Sequence, residues 1–387
     1  MSEIQSTFAV PTPQEMSGRI ERLRDSMRAA GIDCTVCIST DNVFYLTNFA
    51  NYAHERPFIL IITDTGPLRF LMPKLERFHV EARAIGDIEL TDYFEYPAPK
   101  GQRWSDQLKA LLPASGQIAI ESTCPMFLAQ ELGARAIVAD LVDDQRMIKS
   151  PYELARIQYA SDLASETFND FLATAQVGTS VAQANGDIAR KVMGQLLTKD
   201  PQLNMFATKI SFGFQPPSIS WDPHNFTDIS MALEKGGPNV ALLNGVMNGY
   251  ATEIERTFFL GQIPEAAKRP FDIMLEARRA ALEAVIPGTP MSEIDRRANA
   301  VFRKAGYEDN LLHRAGHGIG VTGHEGPFFA DGYDRLIAPN MVFTIEPGIY
   351  IKGIGGFRHS DTLRVDDHGA VLMTSGPIEL DELIFPV

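Results

Sequence analysis

The spacing of apolar and polar positions changes along the chain, and the changes divide it. Thr12-Pro13-Gln14-Glu15 has the form of a helix start: a capping hydroxyl, proline at the first helical position and glutamate at the third. The helical pattern behind it runs to Ala30 and stops at Gly31. Short β-like runs follow, "DCTVCIST", "VFYLTN", "FILIITD" and "RFLMPK", then a helical stretch at 103–112 and the run "QIAIEST". Short strands alternating with helices predict a mixed α/β domain over residues 1–145. A second capping signature, Ser150-Pro151-Tyr152-Glu153, opens a helix of about 25 residues, and the domain boundary falls just before it. From 146 to 387 the pattern predicts helices at 181–198, 265–285 and 291–305. Strands are predicted at 206–213, 239–244, 250–260, 341–346 and 357–365. Helices and β-hairpins in clusters make this second domain α+β.

Composition narrows the function classes. With 45% hydrophobic and 22% charged residues, the chain has ample material for large cores, and 387 residues suit two domains. A net charge of −14 excludes a nucleic-acid partner, which requires a basic face. The longest uncharged apolar run, around "FILIIT", falls far short of the roughly 20 residues of a membrane span. The start "MSEIQSTFAV" has neither the basic nor the apolar region of a signal peptide. Cys34 and Cys37 lie three apart in a strand-like run, where such residues face opposite sides, so zinc or redox chemistry is not expected of them. The expectation is an acidic cytoplasmic enzyme.

Candidate chemistry gathers in the second half. Five of the eight histidines, His224, His313, His317, His324 and His359, fall between residues 224 and 359. "HRAGHGIGVTGHEGP" (313–327) interleaves three of them with glycines, which let backbone approach a ligand closely. "FTIEPGIYI" sets Glu346 at a strand end, where an unpaired buried carboxylate is costly. "GFRHSDTLRV" (356–365) is a strand with polar residues on alternate sides, and "NGVMNGYATEIERTFF" (244–259) carries Glu253 and Glu255.

In this order these segments resemble the pita-bread family of creatinase, aminopeptidase P, prolidase and methionine aminopeptidase. The resemblance spans essentially the whole chain. It implies a C-terminal pseudo-symmetric α+β pita-bread domain around a curved antiparallel sheet, preceded by a smaller creatinase-like α/β domain. The peptidases of that family hold two divalent ions with two Asp, one His and two Glu. Carried onto this chain, those positions are Asn244, Glu253, His317, Glu346 and Ser360. Two divalent ions bring four positive charges, and only Glu253 and Glu346 remain to balance them. A binuclear centre is therefore not expected. Either no cofactor is used or, alternatively, a single divalent ion (Mn, Zn or Fe) sits on Glu253, His317 and Glu346.

Other details resemble creatinase, which hydrolyses a C–N bond without metal. "DPHNFT" (222–227) then makes His224 the general base and acid, with His317, His324 and Glu346 also catalytic. Glu253, Glu255, His313 and Arg358 are the implied substrate-binding groups. Arg56, in "NYAHERPFIL", would reach the substrate carboxylate of a neighbouring subunit in a homodimer. Arg335 is the candidate for a second carboxylate-binding arginine, and Arg358 has an equal claim to a structural ion pair with Asp361 or Glu346. The implied activity is metal-independent hydrolysis of a C–N bond in a small zwitterionic amidine or amide. The alternatives are an Xaa-Pro dipeptidase with a reduced single-ion site, a non-catalytic binding protein that kept the fold, and a lyase acting on a small zwitterion.

Overall fold

Helix Pro13–Ala30 begins where Thr12 Oγ1 accepts the Glu15 N–H at 3.1 Å and ends where Gly31 turns left-handed at φ 68°. The computed structural model describes residues 10–52, 55–199, 203–225 and 228–387. Its contacts separate two units, Ala9–Arg146 and one containing Met147–Val387. In the first, strands β1 (Cys34–Cys37), β2 (Ile59–Thr63), β3 (Leu68–Pro73), β4 (Ile88–Tyr93), β5 (Ile118–Ile120) and β6 (Ala136–Val138) form one mixed sheet in the order β4-β3-β2-β1-β5-β6. Cys34, Val36, Ile59, Ile61, Leu71, Trp104, Leu108 and Leu128 build its core. Cys34 and Cys37 are both buried and free.

One expected strand is a helix. "VFYLTN" lies within and just after helix Thr40–Thr47, which Asn48 closes in the left-handed region. Val, Phe and Tyr favour strands on average, but here Asn42, Val43, Tyr45, Leu46 and Thr47 are all buried. Tertiary packing decides the element over local preference. Strands β4 and β6 and helices Arg77–Arg83 and Met126–Leu132 add elements that the apolar pattern does not mark.

In the second unit the Ser150 capping box is complete. Ser150 Oγ accepts from Glu153 N–H at 3.3 Å, and Glu153 Oε2 accepts from Ser150 N–H at 3.0 Å. Helix Pro151–Thr174 follows, then helices Val181–Lys199, Glu265–Ala284 and Met291–Lys304. The strands are β7 (Lys209–Gln215), β8 (Gly236–Met247), β9 (Tyr250–Leu260), β10 (Gly316–Gly318), β11 (Glu325–Phe329), β12 (Val342–Ile345), β13 (Gly348–Ile351), β14 (Gly355–Arg358), β15 (Ser360–Val365), β16 (Ala370–Leu372) and β17 (Ile384–Phe385). Most belong to one nine-stranded sheet whose main path is β11-β10-β12-β15-β9-β8-β7, with β13 and β14 paired separately.

Strand β9 lies between β8 and β15, and all eleven of its residues are buried. Side chains alternate along it, so Glu253, Glu255 and Thr257 share one face and Ile254, Arg256 and Phe258 the other. Ile254 and Phe258 join Phe168, Phe171 and Phe212 in the main core. Arg256 on the same face is neutralised in place. Its Nη2 reaches Asp361 Oδ1 at 2.9 Å, Arg278 Nη2 reaches Asp361 Oδ2 at 2.6 Å, and Thr374 Oγ1 donates to Oδ1 at 2.8 Å.

The single strand expected at 357–365 is two. The break falls at His359, where β14 pairs with β13 and β15 pairs with β12 and β9. His359 is fully buried, edge-on to Phe271 with ring centroids 5.4 Å apart. Burial, together with the nearby Arg256 and Arg278 charges, holds its pKa well below the usual imidazole value.

Two stability predictions follow from this packing. Asp361→Ala leaves two buried guanidinium groups without their shared acid and should cost roughly 3–5 kcal/mol in a denaturant titration; a loss below about 1 kcal/mol would show that the triad contributes little. For His359 the folded pKa is depressed, so the unfolded chain takes up a proton below its ordinary value near 6.5. The stabilisation is thus present above that pH and lost as pH falls. Comparing wild type with His359→Leu between pH 7.5 and 5 should show a shallower decline in the variant, by up to about 1.4 kcal/mol per pH unit. Parallel profiles would refute a neutral buried His359.

Candidate active site

The acidic face of β9 is the floor of the site. Asn244 lies opposite Glu253 in the β8–β9 register, and Ser360 lies opposite Glu255 in the β15–β9 register. Antiparallel partners point to the same side, so all four side chains meet on one face. Ser360 Oγ donates to Glu253 Oε1 at 2.7 Å. Glu255, with no exposed surface, is taken on both oxygens by Arg358, Nε to Oε2 and Nη2 to Oε1, the latter at 2.7 Å. Burial opposes the guanidinium charge, but Glu255 and Tyr350 beside it hold the Arg358 pKa well above normal.

The histidines arrive on the glycine-rich segment. Strand β10 lies so close to its neighbours that a Cβ on Gly316 would stand 2.2 Å from the Thr344 carbonyl oxygen, and one on Gly318 2.3 Å from that of Gly326. Only glycine permits this approach, which seats His317 between them over the floor. The His317 Nδ1 lies 3.0 Å from the Gly318 carbonyl oxygen. A carbonyl only accepts, so Nδ1 carries the proton and Nε2 presents a bare lone pair. That Nε2 is buried, has no hydrogen-bond donor among the described residues, and stands 3.3 Å from Glu346 Oε1. Two acceptors facing each other at that distance need a proton or a cation on or between them. Burial, aided by the charge of Glu253, pushes the Glu346 carboxyl up to about 8, while burial pulls His317 down to about 4. A proton shared by the pair therefore favours Glu346 over His317.

His324 is exposed and stacks on His317 with ring centroids 3.7 Å apart. His224 is exposed on the loop after β7, close enough for its charge to lower the pKa of both His313 and His324. His313 is fully engaged: Nδ1 lies 2.8 Å from the Arg314 carbonyl oxygen and Nε2 2.7 Å from the Tyr350 hydroxyl. Nδ1 must donate there, so Nε2 accepts from Tyr350, and neither nitrogen is left for a substrate. Burial lowers His313 to about 3.

The site thus brings together Glu253, Glu255, His313, His317, His324, Glu346 and Arg358, with His224 near enough to act on two of them. Arg56 lies in the N-terminal unit, where it pairs with Glu95 Oε1 at 2.5 Å and Glu55 Oε1 at 3.0 Å. The ion pair expected between Arg358 and Asp361 or Glu346 is corrected. Arg358 pairs with Glu255, on the opposite face from Asp361, which Arg256 and Arg278 occupy. Arg335 is exposed, with Nη1 against the Met147 sulfur. Two residues escaped the sequence reading. Tyr350 could have been noticed as a lone hydroxyl in an apolar strand, and Arg314 as the one arginine inside the glycine–histidine run.

The donor set does not fit a binuclear centre. Asn244 is a weak neutral donor, and Ser360 spends its hydroxyl on Glu253. A single ion fits better. Glu253, His317 and His324, the last in place of the Glu346 expected from the sequence, each offer a ligand atom within 4.8 Å of the others, and His317 Nε2 is already unprotonated with its other nitrogen fixed on a carbonyl.

Comparison with known proteins agrees in fold along the full chain. YkvY of Bacillus subtilis, provisionally named a dipeptidase, is 31% identical over 373 residues, 94% of this chain and 99% of that protein. The Xaa-Pro dipeptidase of Pyrococcus horikoshii is 28% identical, over 94% of this chain and 99% of its own. The solved Xaa-Pro dipeptidase from Bacillus anthracis superposes with a TM-score of 0.78 at 25% identity, covering 95% of this chain and 99% of that one. The Creatinase/Prolidase N-terminal domain matches residues 19–150, and Metallopeptidase family M24 matches 155–367, more than half the chain. The chain therefore belongs to metallopeptidase family M24, with a creatinase/prolidase-type N-terminal domain before its pita-bread domain.

Proposed function

We propose that this protein hydrolyses the peptide bond of a small peptide of the Xaa-Pro dipeptide class, using one divalent ion where the family's peptidases use two. The observation that carries this reading is the Glu253–His317–His324 group, in which His317 keeps a bare, buried Nε2 beside Glu346. The similarity to dipeptidases supports the substrate class. The amidinohydrolase reading has no such support. Glu255, on which it relied to hold an amidinium, is already satisfied by Arg358 on both oxygens.

Glu253, His317 and His324 would hold the ion. An ion bound there would supply Lewis acidity toward the scissile carbonyl. The remaining work falls to the chain's own groups. Glu346, buried and 3.3 Å from the His317 Nε2, is placed to take a proton from water and then to pass it to the departing amine. The exposed His224 stands near enough to the site to pass protons to solvent. The Glu255–Arg358 pair and the Tyr350–His313 hydrogen bond fix the walls, so that little reorganisation accompanies reaction.

The test is elemental analysis of the purified protein together with hydrolysis of Xaa-Pro dipeptides before and after chelator treatment. One ion per chain is expected, with activity lost in chelator and restored by adding metal. His317→Ala should abolish stoichiometric binding and lower kcat by at least about a hundredfold. Two ions per chain, or undiminished hydrolysis in chelator, would overturn the one-ion reading. No turnover of any dipeptide would favour a binding protein.

A further inference from the structure

Buried and half-buried cations in this protein are paired almost everywhere they have been described. Arg256 and Arg278 share Asp361, Arg358 holds Glu255, and Lys149 meets Glu325 at 3.1 Å. Arg314 is different. It is half-buried, and among the described residues its guanidinium has no ion pair or hydrogen bond, its Nε being buried without a partner. Its one described contact is with the Phe328 ring, whose centroid lies 4.7 Å from the guanidinium carbon.

That ring is part of the site. Phe328 lies opposite His317 in the β10–β11 register, so its ring stands on the same face as the His317 imidazole. Arg314, resting on it, is close enough that its charge lowers the pKa of His313, His317 and His324 and bears on Glu346. A guanidinium lying on an aromatic face is supported through that face, and its edge N–H groups stay free for a planar two-oxygen partner. Among the described residues the site offers acids to a substrate and, apart from Arg314, no cation without a described partner. Arg358 is taken by Glu255, and Arg335 stands exposed against Met147.

We propose that Arg314 is the specificity-determining residue that binds the free carboxylate of the substrate by a two-pronged charge-assisted hydrogen bond, with Phe328 as its platform. The inference rests on the peptide-hydrolase reading above and adds to it the residue that requires the substrate to be an acid. The uncompensated charge is then explained: the missing anion arrives with the substrate. Arginine forks match carboxylate geometry, and removing one partner of such a pair at a desolvated site is costly.

The test compares an Xaa-Pro dipeptide with its C-terminal amide, using metal-replete wild type, Arg314→Gln and Arg314→Lys. Wild type should favour the acid by about thirtyfold or more in kcat/KM, chiefly through KM. Arg314→Gln should bring the acid down to the level of the amide while leaving the amide within about threefold of wild type. Arg314→Lys, which keeps the charge but loses the fork, should fall between. Thermal melting of all three should nearly coincide, because the guanidinium has no described ion pair or hydrogen bond to lose and only its stacking on Phe328 changes. An unchanged acid-to-amide ratio in Arg314→Gln overturns the proposal. If wild type hydrolyses neither compound, the hydrolase reading fails separately. Calorimetric binding of the acid and the amide then decides on Arg314, and equal affinity for the two overturns its role.

Discussion

The pairing of β9 with β15 governs this molecule, because it sets two ionic systems back to back across a single sheet. On one face Arg358 neutralises Glu255. On the other, Arg256 and Arg278 neutralise Asp361. All five side chains are within the interior, where an unpaired charge is far more costly than a lost apolar contact. A slip of one residue would move every side chain of the strand to the opposite face and leave each charge opposite the wrong partner. Ionic complementarity therefore fixes the register, and the positions of Glu253 and Ser360 come with it.

From that register follows an active-site candidate whose polar groups are mostly spoken for. Tyr350 and a backbone carbonyl hold His313, Gly318 fixes the tautomer of His317, and Ser360 binds one oxygen of Glu253. What remains available is small: the Nε2 of His317, the Glu346 carboxyl, the exposed imidazoles of His224 and His324, and the edge of Arg314. Burial lowers the pKa of the inner histidines and raises that of Glu346, favouring the neutral form of each.

Much of this was legible in the sequence, for identifiable reasons. Strand β9 lies at 250–260 as expected, because its turn residues and apolar alternation agree with its place at the centre of the sheet. Both proline-marked helix starts, at Pro13 and Pro151, stand where their caps put them. The grouping of His317, His324, Glu253 and Glu346 was implied by the resemblance to the pita-bread family. What spacing does not carry is who pairs with whom. Glu255 read as a substrate group because its partner lies 103 residues away, and Arg358 was assigned to nearer or more familiar acids. The helix at Thr40–Thr47 was hidden for a related reason, since its strand-like composition is overruled by contacts that local pattern does not encode.

The hydrogen bond from Ser360 to Glu253 has a consequence for how the site closes. A cluster of four carboxylates repels itself until cations arrive, so a chain built that way folds best where metal is plentiful. A serine hydroxyl donates where a second carboxylate could only repel, and the remaining acids here find their partners within the chain or keep a proton. Charge repulsion at this position is thereby removed without a cation, so this part of the site closes on hydrogen bonding within the chain.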